Sequence, residues 1–485
     1  MPSRAKNVAY FAAPILFAAA LHWPGLTAWF QKDDFAWLGL RDLIHSWHDF
    51  WWALFAPLAQ GTIRTLSERV FFLSFTTAFG MRALPFRCWA FLTFAGSLAL
   101  ASLVCTKLTG SRAAGFWTAI LWAANTGVAV ALSWTAVYYE LLCAFVLLLS
   151  FWFLLRYGET GERRFYIAQL VTFIVGFFVL ELNVVYPAIA TVYALCCARH
   201  ILRKILPLFG ISALYSAIHM AAVRLPSSGP YKMYWDLSMA STLSTYWKWA
   251  IGPVRLIFFH IYPSPWRSSL TLFLSLGLAG FLIWKLRQRQ WVAAFFPAWF
   301  LIVLGPLLPL RDHIDDSYLT VPVIGLAMWG GWALVTGWRA GISGRIVAVS
   351  LLAIYLCVSV PVTHVISASF HDRSQQIRNM VLGVTALSQK QPEKMVLLKG
   401  VDWEMFWSAV YDRPFRLFGV REVAVLPDDA PTILHGPQYG DAQPFFADPA
   451  AARDALERGV AMVLDVSGGQ VRDITAEYRA SIGIH

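Results

Sequence analysis

Acidic side chains stand where several apolar runs of this sequence begin or end. Asp33 and Asp34 follow the first run, Glu140 opens a later one and Glu181 closes the run after that. A carboxylate at the mouth of an apolar helix is costly unless it is paired, solvated or lining a cavity. Such carboxylates can deprotonate a hydroxyl group or hold a divalent cation. The pattern therefore predicts one polar cavity to which distant parts of the chain contribute.

Basic and imidazole side chains accompany these carboxylates. The loop from Arg311 to Tyr318 reads Arg-Asp-His-Ile-Asp-Asp-Ser-Tyr, and Arg64 and Arg255 stand at the same level of the predicted topology. A guanidinium group binds a phosphate through two parallel hydrogen bonds, so these arginines are candidate phosphate ligands. His313 with the two following aspartates has the chemistry of metal ligands, with a hydrated turn as the alternative.

Purely structural roles are open for the same residues. The Asp33–Asp34 pair fits a solvated loop or a helix N-cap, and Glu140 fits the first turn of a helix, where the dipole favours a carboxylate. Arg64 and Arg255 can extend to lipid headgroups.

The composition places the chain in a membrane. Of its 485 residues 58% are hydrophobic and only 14% charged, far fewer charges than a soluble domain carries. The net charge of +11 is expected at cytoplasmic helix ends rather than on a nucleic-acid-binding face, and no nucleic-acid module occurs. The six cysteines lie in or beside apolar runs, so no disulfide framework is predicted.

Eleven apolar runs are long enough, with their flanks, to cross a bilayer. They are Val8–Trp23, Phe86–Leu108, Ala113–Ala131, Glu140–Tyr157, Phe165–Leu180, Val184–Ala198, Ile201–Val223, Leu270–Trp284, Trp291–Leu310, Tyr318–Trp338 and Ile346–Val362. Lys and Arg residues concentrate in alternate short loops, which predicts a cytoplasmic N-terminus and an extracytoplasmic C-terminus in a bacterial inner membrane. The first run has no A-x-A cleavage site after it, so we expect an uncleaved anchor.

Three further segments are apolar but are not predicted as spans. The region near 36–55 places its tryptophans at spacings of three and four, which predicts an amphipathic helix in the outer interface. The region near 65–81 has an apolar part that is too short to cross. Leu243–Ile261 carries Lys248 and Arg255, and we interpret it as a surface or re-entrant helix.

The composition turns polar after about His364, which predicts two domains, 1–364 in the membrane and 365–485 outside it. Short apolar runs then alternate with helical pieces such as Asp402–Tyr411 and Pro449–Arg458, an order typical of a small α/β domain. The runs are Met395–Leu398, Arg416–Phe418, Val423–Leu426, Thr432–Leu434 and Ala461–Val466. The predicted fold is thus an all-α polytopic membrane protein with a small C-terminal α/β domain.

Taken together, these segments resemble the GT-C superfamily of membrane glycosyltransferases, and most closely its O-mannosyltransferase and aminoarabinose-transferase branch. The resemblance covers about three quarters of the chain. Its Asp-Asp loop is the most specific element, whereas the Arg-Pro common in that branch is here Arg64-Thr65. The segments that carry it are Gln31-Lys32-Asp33-Asp34-Phe35, Gly61-Thr62-Ile63-Arg64-Thr65, Tyr138-Tyr139-Glu140-Leu141, Leu180-Glu181-Leu182-Asn183 to Pro187, and Leu308 to Tyr318 with Pro322 and Gly325.

The resemblance implies a reaction. A sugar would pass from a polyprenyl-phosphate donor to a hydroxyl of a protein, lipid or glycan acceptor in the cell envelope, with inversion, at the outer face of the membrane. It requires a base for the hydroxyl and positive charge for the departing phosphate. A divalent cation such as Mg²⁺ or Mn²⁺ is a possible cofactor, because the superfamily varies in its need for metal.

The resemblance also assigns roles to residues. Asp34, or Asp33, is the candidate base or metal ligand, and Glu140 and Glu181 orient the acceptor or complete the catalytic carboxylates. Arg64, Arg255 and Arg311 are the candidate ligands of the donor phosphate. The acceptor-binding candidates in the late loop are His313, Asp315, Asp316 and Tyr318.

Two alternatives belong to other classes of protein. A multi-span transporter or lipid flippase would also have many spans and intramembrane carboxylates, but its binding groups usually lie at the midplane between internal repeats. Here the charges gather at one rim, and no internal repeat is found. A non-catalytic envelope-assembly protein, with a C-terminal domain that binds a partner, is the other alternative.

Overall fold

The computed structural model describes residues 4–57, 62–223, 228–261 and 265–484, and the side chains from residue 7 onward. Gly61, which opens the Gly-Thr-Ile-Arg-Thr segment, lies outside the described residues. The chain divides into two compact units. Unit 1 comprises Met1–Leu26, Leu54–Phe71 and Pro85–Ala368, and unit 2 comprises Thr27–Ala53, Phe72–Leu84 and Ser369–His485.

Helices account for almost all of the first 390 residues. In chain order they are α1 Arg4–Leu21, α2 Trp23–Leu26, α3 Asp34–Leu38, α4 Trp47–Phe55, α5 Phe71–Phe79, α6 Ala83–Thr109, α7 Arg112–Ala123, α8 Thr126–Ser133, α9 Tyr138–Thr160, α10 Arg163–Gly176, α11 Tyr186–Cys197, α12 Leu202–Ala222, α13 Ser238–Ile251, α14 Pro265–Arg287, α15 Val292–Leu304, α16 Val323–Arg339 and α17 Ile342–Lys390.

Several of these helices can cross a membrane. Among the described residues, five segments are both long and apolar enough: Ala83–Thr109, Thr135–Thr160, Arg199–Ala222, Pro265–Arg287 and Ile342–Lys390. The bent pair α7 and α8 makes a sixth if it counts as one span, and three shorter apolar helices occur at Asn7–Leu21, Glu181–Cys197 and Val292–Leu307. The chain is therefore a multi-pass membrane protein, while the number eleven and the orientation stay predictions.

The bend of 62° between α7 and α8 has a local cause. Asn125 is the N-cap of α8, and its side-chain oxygen accepts the Gly127 N–H at 3.1 Å. Its amide nitrogen donates to the Ala250 carbonyl at 3.1 Å. Because a capping asparagine holds its backbone outside the helical region, α8 starts in a new direction. The chain then passes through a 3₁₀ turn, Thr135–Val137, into α9.

Small residues let the helices of unit 1 approach closely, as is common in membranes. A Cβ added at Gly331 of α16 would lie 2.7 Å from the Ala114 carbonyl oxygen of α7. One added at Gly325 would lie 2.6 Å from the Phe296 carbonyl oxygen of α15. Large rings fill the space between these contacts, among them the buried Trp122 and Trp299.

The continuous amphipathic helix predicted near 36–55 is wrong. The structure has three pieces there: α3, a 3₁₀ helix Gly39–Leu43, and α4. The interruption is capped locally, because Asp49 accepts the His45 N–H and donates its own N–H to the Ser46 hydroxyl, both at 3.1 Å. Near 65–81 the structure has a π-helix, Thr65–Val70, followed by α5.

The uncertain segment Leu243–Ile261 is also broken. Helix α13 ends at Gly252, whose φ of 111° is left-handed, and a 3₁₀ helix, Pro253–Phe259, follows. A conformation of this kind is easily reached only by glycine. The segment is absent from the described helices that qualify as spans.

The predicted α/β structure of the C-terminal region is confirmed, while its boundary at residue 364 and its place outside the membrane stay predictions. A four-stranded sheet of order β2-β1-β3-β4 forms from β1 Met395–Lys399, β2 Val423–Val425, β3 Ala461–Asp465 and β4 Arg472–Asp473. Strand β1 pairs in parallel with β2 and β3, and β4 is antiparallel to β3. The helices are α18 Trp403–Ser408, α19 Ala430–Leu434, α20 Pro449–Glu457 and α21 Thr475–Ser481.

Three of the five apolar runs in the tail are strands. Arg416–Phe418 instead lies in a 3₁₀ helix, Pro414–Phe418, and Thr432–Leu434 lies in α19. Prolines explain both cases, since Pro414 and Pro431 stand at the first positions of these helices, where proline is favoured and where it cannot donate to a sheet.

Candidate functional site: a buried arginine among carboxylates

The segment that carries Arg64 is attached to the segment that carries Glu181 by backbone groups. The Leu66 N–H donates to the Phe178 carbonyl at 2.8 Å, and the Ser67 hydroxyl donates to the Val179 carbonyl at 2.6 Å. Arg64 is the N-cap of the π-helix, and Glu181 opens the 3₁₀ helix Glu181–Val185. These bonds fix the two side chains opposite each other.

Arg64 forms two ion pairs. Its Nε lies 3.0 Å from Glu181 Oε2, and its Nη1 lies 2.9 Å from Glu68 Oε1. The guanidinium carbon is 4.1 Å from the centre of the Tyr139 ring. Neither ion pair uses Nη2. One guanidinium thus pairs with two carboxylates and keeps one N–H₂ group outside these ion pairs that can meet an anionic ligand.

The carboxylate of Glu68 is buried, with only 3% of its side chain exposed. Burial raises the pKa of Glu68 above its ordinary value, although the nearby positive charges of Arg64 and Arg69 act in the opposite direction. Arg69 Nε lies 4.0 Å from Glu68 Oε2. Glu68 was not among the predicted site residues. Its spacing of four residues from Arg64 could have indicated an ion pair on one face of a helix.

Glu140 belongs to the same region. It stands in the first turn of α9 and is 2% exposed. It interacts electrostatically with Arg64, Glu181 and Asp315. Within the described part of the chain, Glu140 Oε2 and Glu181 Oε1 are buried and accept no hydrogen bond. Buried carboxylate oxygens without a donor are costly in an apolar surrounding, so each is suited to accept a bond from a bound hydroxyl.

The late loop brings a second ion pair to unit 1. Asp316 pairs with Arg255, whose guanidinium carbon lies 4.1 Å above the Trp249 ring. Asp315 instead accepts the backbone N–H and the hydroxyl of Ser317, at 2.8 and 2.5 Å. Asp315 therefore keeps the loop in shape, and its charge acts on Glu140.

His313 and Arg311 contact aromatic rings. The His313 ring is 4.2 Å from the Tyr231 ring and 5.8 Å from the Tyr318 ring, centre to centre. Arg311 lies 3.5 Å above the Tyr234 ring and 3.6 Å from carboxylate oxygens of Asp236 and Asp312. The side chain of Arg311 is therefore more exposed than that of Arg64, and it pairs with different carboxylates.

Asp33 and Asp34 belong to unit 2, which is described by itself. Asp33 is exposed, whereas Asp34 is fully buried and accepts the Gln31 N–H at 3.1 Å. Lys32, which precedes both aspartates, has a left-handed φ of 55°, and its N–H donates to the Ser408 carbonyl at 2.5 Å. The loop is therefore held by residues of the C-terminal domain.

A second carboxylate accompanies Asp34 within unit 2. Burial and the negative charge of Asp34 raise the pKa of Asp412 to about 6, against the lowering effect of Arg416. Asp412 was not predicted as a site residue, because its proximity to Asp34 exists only in the folded unit.

The predicted metal ion is not tested by this structure. Over the part of the chain that the structure describes, no three His, Cys, Asp or Glu side chains converge as a divalent cation would require. One carboxylate oxygen of Asp34 accepts a hydrogen bond within its own loop. The predicted Mg²⁺ or Mn²⁺ remains a prediction, and the proposal below uses no metal.

By sequence, the chain matches no protein-family model and no curated protein. Its structure is similar to the Archaeoglobus fulgidus oligosaccharyltransferase tethered with an acceptor peptide containing the NVT sequon, at 10% identity and a TM-score of 0.52, covering 95% of this chain and 69% of that one. ArnT from Cupriavidus metallidurans matches over 96% of this chain and 93% of its own. Bound to undecaprenyl phosphate it has 12% identity and a TM-score of 0.47, and in the apo state 13% and 0.43.

These similarities concern the fold. At 10% identity, the likeness to the oligosaccharyltransferase shows a shared architecture. The fold that the sequence resemblance implied is therefore confirmed.

Proposed function

We propose that this chain is a glycosyltransferase that moves a sugar from a polyprenyl-phosphate donor to a hydroxyl acceptor. The observation that carries the proposal is the cluster of Arg64, Glu68, Glu181 and Glu140, in which Glu68 and Glu140 are buried. The similarity in fold to the oligosaccharyltransferase supports it. Structural ion pairs are also found in membrane proteins, but here two buried carboxylate oxygens accept no bond from the described residues. An acceptor or sugar hydroxyl would satisfy them.

The lipid part of the donor is supported by a cavity in unit 1. A space of about 480 Å³ lies between α14, α16 and α17, and almost all of its lining is apolar, including Phe281, Leu326 and Leu351. Glycines such as Gly277 and Gly330 make room for it. An isoprenoid chain buries only apolar surface, so a cavity of this composition favours a lipid-linked donor over a soluble sugar nucleotide.

The reaction we propose is a direct displacement. The acceptor oxygen attacks the anomeric carbon, the bond from that carbon to the phosphate oxygen breaks, and a carboxylate takes the hydroxyl proton. The anomeric configuration is inverted. Candidate proton acceptors exist in both units: Asp33 and Asp34 in one, Glu140 and Glu181 in the other. Arg64, through Nη2, is the leading candidate for stabilising the phosphate that departs, with Arg255 and Arg311 as the others.

Acceptor binding is proposed for the late loop. His313 and Tyr318 present adjoining rings, which suit the apolar face of a sugar or an aromatic side chain. The outer face of the membrane is the proposed location, because the loop from Arg311 to Tyr318 and the start of α9 lie on that side of the predicted topology. The similar oligosaccharyltransferase carries an acceptor peptide, so a protein acceptor belongs in the first assays.

The proposal is tested by incubating purified protein with radiolabelled polyprenyl-phosphate hexoses and cell-envelope acceptors. We expect transfer by the wild type, and strong loss in either Asp34→Asn or Asp33→Asn, which identifies the base. Nuclear magnetic resonance of the product should show the inverted anomer. No transfer with any of several donors would contradict the proposal, and equal transfer by both variants would remove this pair from the mechanism.

A further inference from the structure

A second cavity lies in unit 2, and Arg416 is one of its lining residues. It has a volume of about 360 Å³, within the range of small-ligand sites. Its lining includes three arginines and two phenylalanines, namely Arg413, Arg416, Arg421, Phe415 and Phe445. No binding role was predicted for these residues from the sequence.

The three arginines have no carboxylate within ion-pair distance in the described part of the chain. Other arginines of the same unit are paired: Arg453 with Glu457, Arg458 with Asp454, and Arg472 with Asp465 and Glu477. Glu422 also lines the cavity, so the lining residues carry three positive charges against one negative charge. This excess favours an anionic ligand.

The aromatic lining narrows the class of ligand. The guanidinium carbon of Arg413 lies 5.1 Å from the centre of the Phe445 ring, and the Phe445 ring in turn lies 5.3 Å from that of Tyr411. Aromatic faces bind the apolar face of a sugar ring, while guanidinium groups bind phosphate or carboxylate oxygens in pairs. A cavity with both features fits a sugar that carries an oxyanion.

Arg416 connects this cavity to the Asp33–Asp34 loop inside unit 2. A Cβ added at Gly39 would lie 2.9 Å from Arg416 Nη2, so the guanidinium rests against the backbone just after α3, the helix that Asp34 opens. Asp412 interacts electrostatically with both Arg416 and Asp34. A ligand held by the arginines would therefore sit beside the loop with the candidate base.

We propose that this cavity binds a sugar bearing a phosphate or carboxylate group, and that it is a subsite for an anionic acceptor glycan. The role as an acceptor subsite rests on the proposed function, whereas the binding itself does not. Arg413 and Arg421 are the oxyanion ligands, and Phe445 supports the sugar ring. Phosphate and carboxylate share the required chemistry, and the assay separates them.

The experiment measures binding of three probes to the full chain in lipid nanodiscs: glucose 6-phosphate, glucuronate and glucose. We expect one or both of the anionic sugars to bind, and glucose to bind at least about tenfold more weakly. Arg413→Gln and Arg421→Gln should each weaken anion binding about tenfold, since each removes a charge-assisted pair of bonds. Arg453→Gln, an exposed arginine of the same unit, is the matched control and should bind normally.

Equal binding of glucose and the anionic sugars, no binding of any probe, or unchanged affinity in both arginine variants would each overturn the inference. Because binding is measured without a donor, the two proposals fail separately. Binding without any transfer removes the proposed function alone, and transfer without binding removes the subsite alone.

Discussion

At Arg64 one guanidinium is shared between carboxylates from two separate parts of the chain. Such an arrangement is stable only while all members are present, since the cost of removing charges from water is offset by their mutual attraction. If Arg64 were lost, Glu181 would have no ion-pair partner among the described residues, and Glu68 would keep only the more distant Arg69. The cluster is therefore sensitive to single substitutions in a way that exposed ion pairs are not.

Arg64→Met tests this directly. We expect a loss of about 3 kcal/mol in the free energy of unfolding, because the buried Glu68 and the partly exposed Glu181 both lose the cation that they share. Denaturant unfolding of purified protein in detergent measures it. The control is Arg453→Met, which breaks an exposed pair four residues apart and should change stability by less than about 0.5 kcal/mol. Equal stability of the two variants would show that the Arg64 pairs contribute nothing.

Asp412 makes stability depend on pH. Its pKa in the folded chain is raised from 3.8 to about 6, so its stabilising contribution is complete below about pH 4 and is lost as the pH rises through 6. Asp412→Asn should remove this loss and be more stable than the wild type at pH 7 by on the order of 2 kcal/mol. Thermal unfolding of both proteins at pH 4 and pH 7 gives the comparison. A difference that is the same at both pH values would contradict the assignment.

The sequence was informative about some of these residues and silent about others. Glu140, Glu181 and Arg64 were recognisable because a charge at the end of an apolar run is rare and expensive, and the structure brings all three together. Glu68 was hidden in a segment too short to be a span, where its spacing from Arg64 has meaning only in a helix. Asp412 could not be found, since nothing in a local pattern indicates a partner almost 400 residues away.

Among the elements, the junction between α13 and the following 3₁₀ helix has the clearest physical requirement. Gly252 takes a φ of 111°, and its carbonyl accepts the Arg255 N–H at 2.8 Å. The turn therefore sets the direction in which Arg255 meets Asp316. A side chain at this position would be strained in any rotamer, because the backbone itself is the cause.

Gly252→Ala should lower the free energy of unfolding by about 1–2 kcal/mol through this strain. Gly210→Ala is the matched control: Gly210 lies inside α12, and an added Cβ meets nothing within 4 Å. It should be neutral or raise stability by up to about 1 kcal/mol, since alanine favours a helix. Denaturant unfolding of both variants under the same conditions measures the difference in the free energy of unfolding. A Gly252→Ala protein as stable as the Gly210→Ala control would exclude strain at the turn.

The elements show where sequence periodicity succeeds. Long apolar runs gave helices close to the predicted bounds, for example Phe86–Leu108 within α6. Around residue 45 the tryptophan spacing of three and four correctly predicted helical structure, but it did not reveal that the helix is interrupted. Ser46 and Asp49 cap a new helix there. In the tail, Pro414 and Pro431 outweighed the apolar character of the runs that follow them.

For the whole molecule, the predicted topology makes a claim about sidedness inside unit 1. The loop with Asp312 is predicted outside, and the loop between α9 and α10, with Glu162, inside. In a variant without the native cysteines, Asp312→Cys should react with an impermeant maleimide added to intact cells, and Glu162→Cys only after lysis. Both positions are exposed. The opposite pattern would invert the orientation and place the late loop in the cytoplasm.

The helical fold was predictable because the sequence shows the order of the long apolar runs and the loop after the first of them. The number of spans could not be predicted, because several helices are shorter than a bilayer requires and because α7 and α8 form a bent pair. How the chain divides into units was likewise hidden, because residues 27–53 join the C-terminal unit through contacts such as the bond from Lys32 to Ser408.

The central claim is that the cluster around Arg64 serves sugar transfer, and Glu140→Gln tests it most directly. Glutamine keeps the size of the side chain but cannot accept a proton or balance the arginine. The measurement is the single-turnover rate of transfer from a polyprenyl-phosphate sugar, with Glu162→Gln as the control in an exposed loop. We predict a rate at least about 100-fold below wild type for Glu140→Gln, with an unchanged control. A Glu140→Gln enzyme that transfers at the wild-type rate would contradict the account.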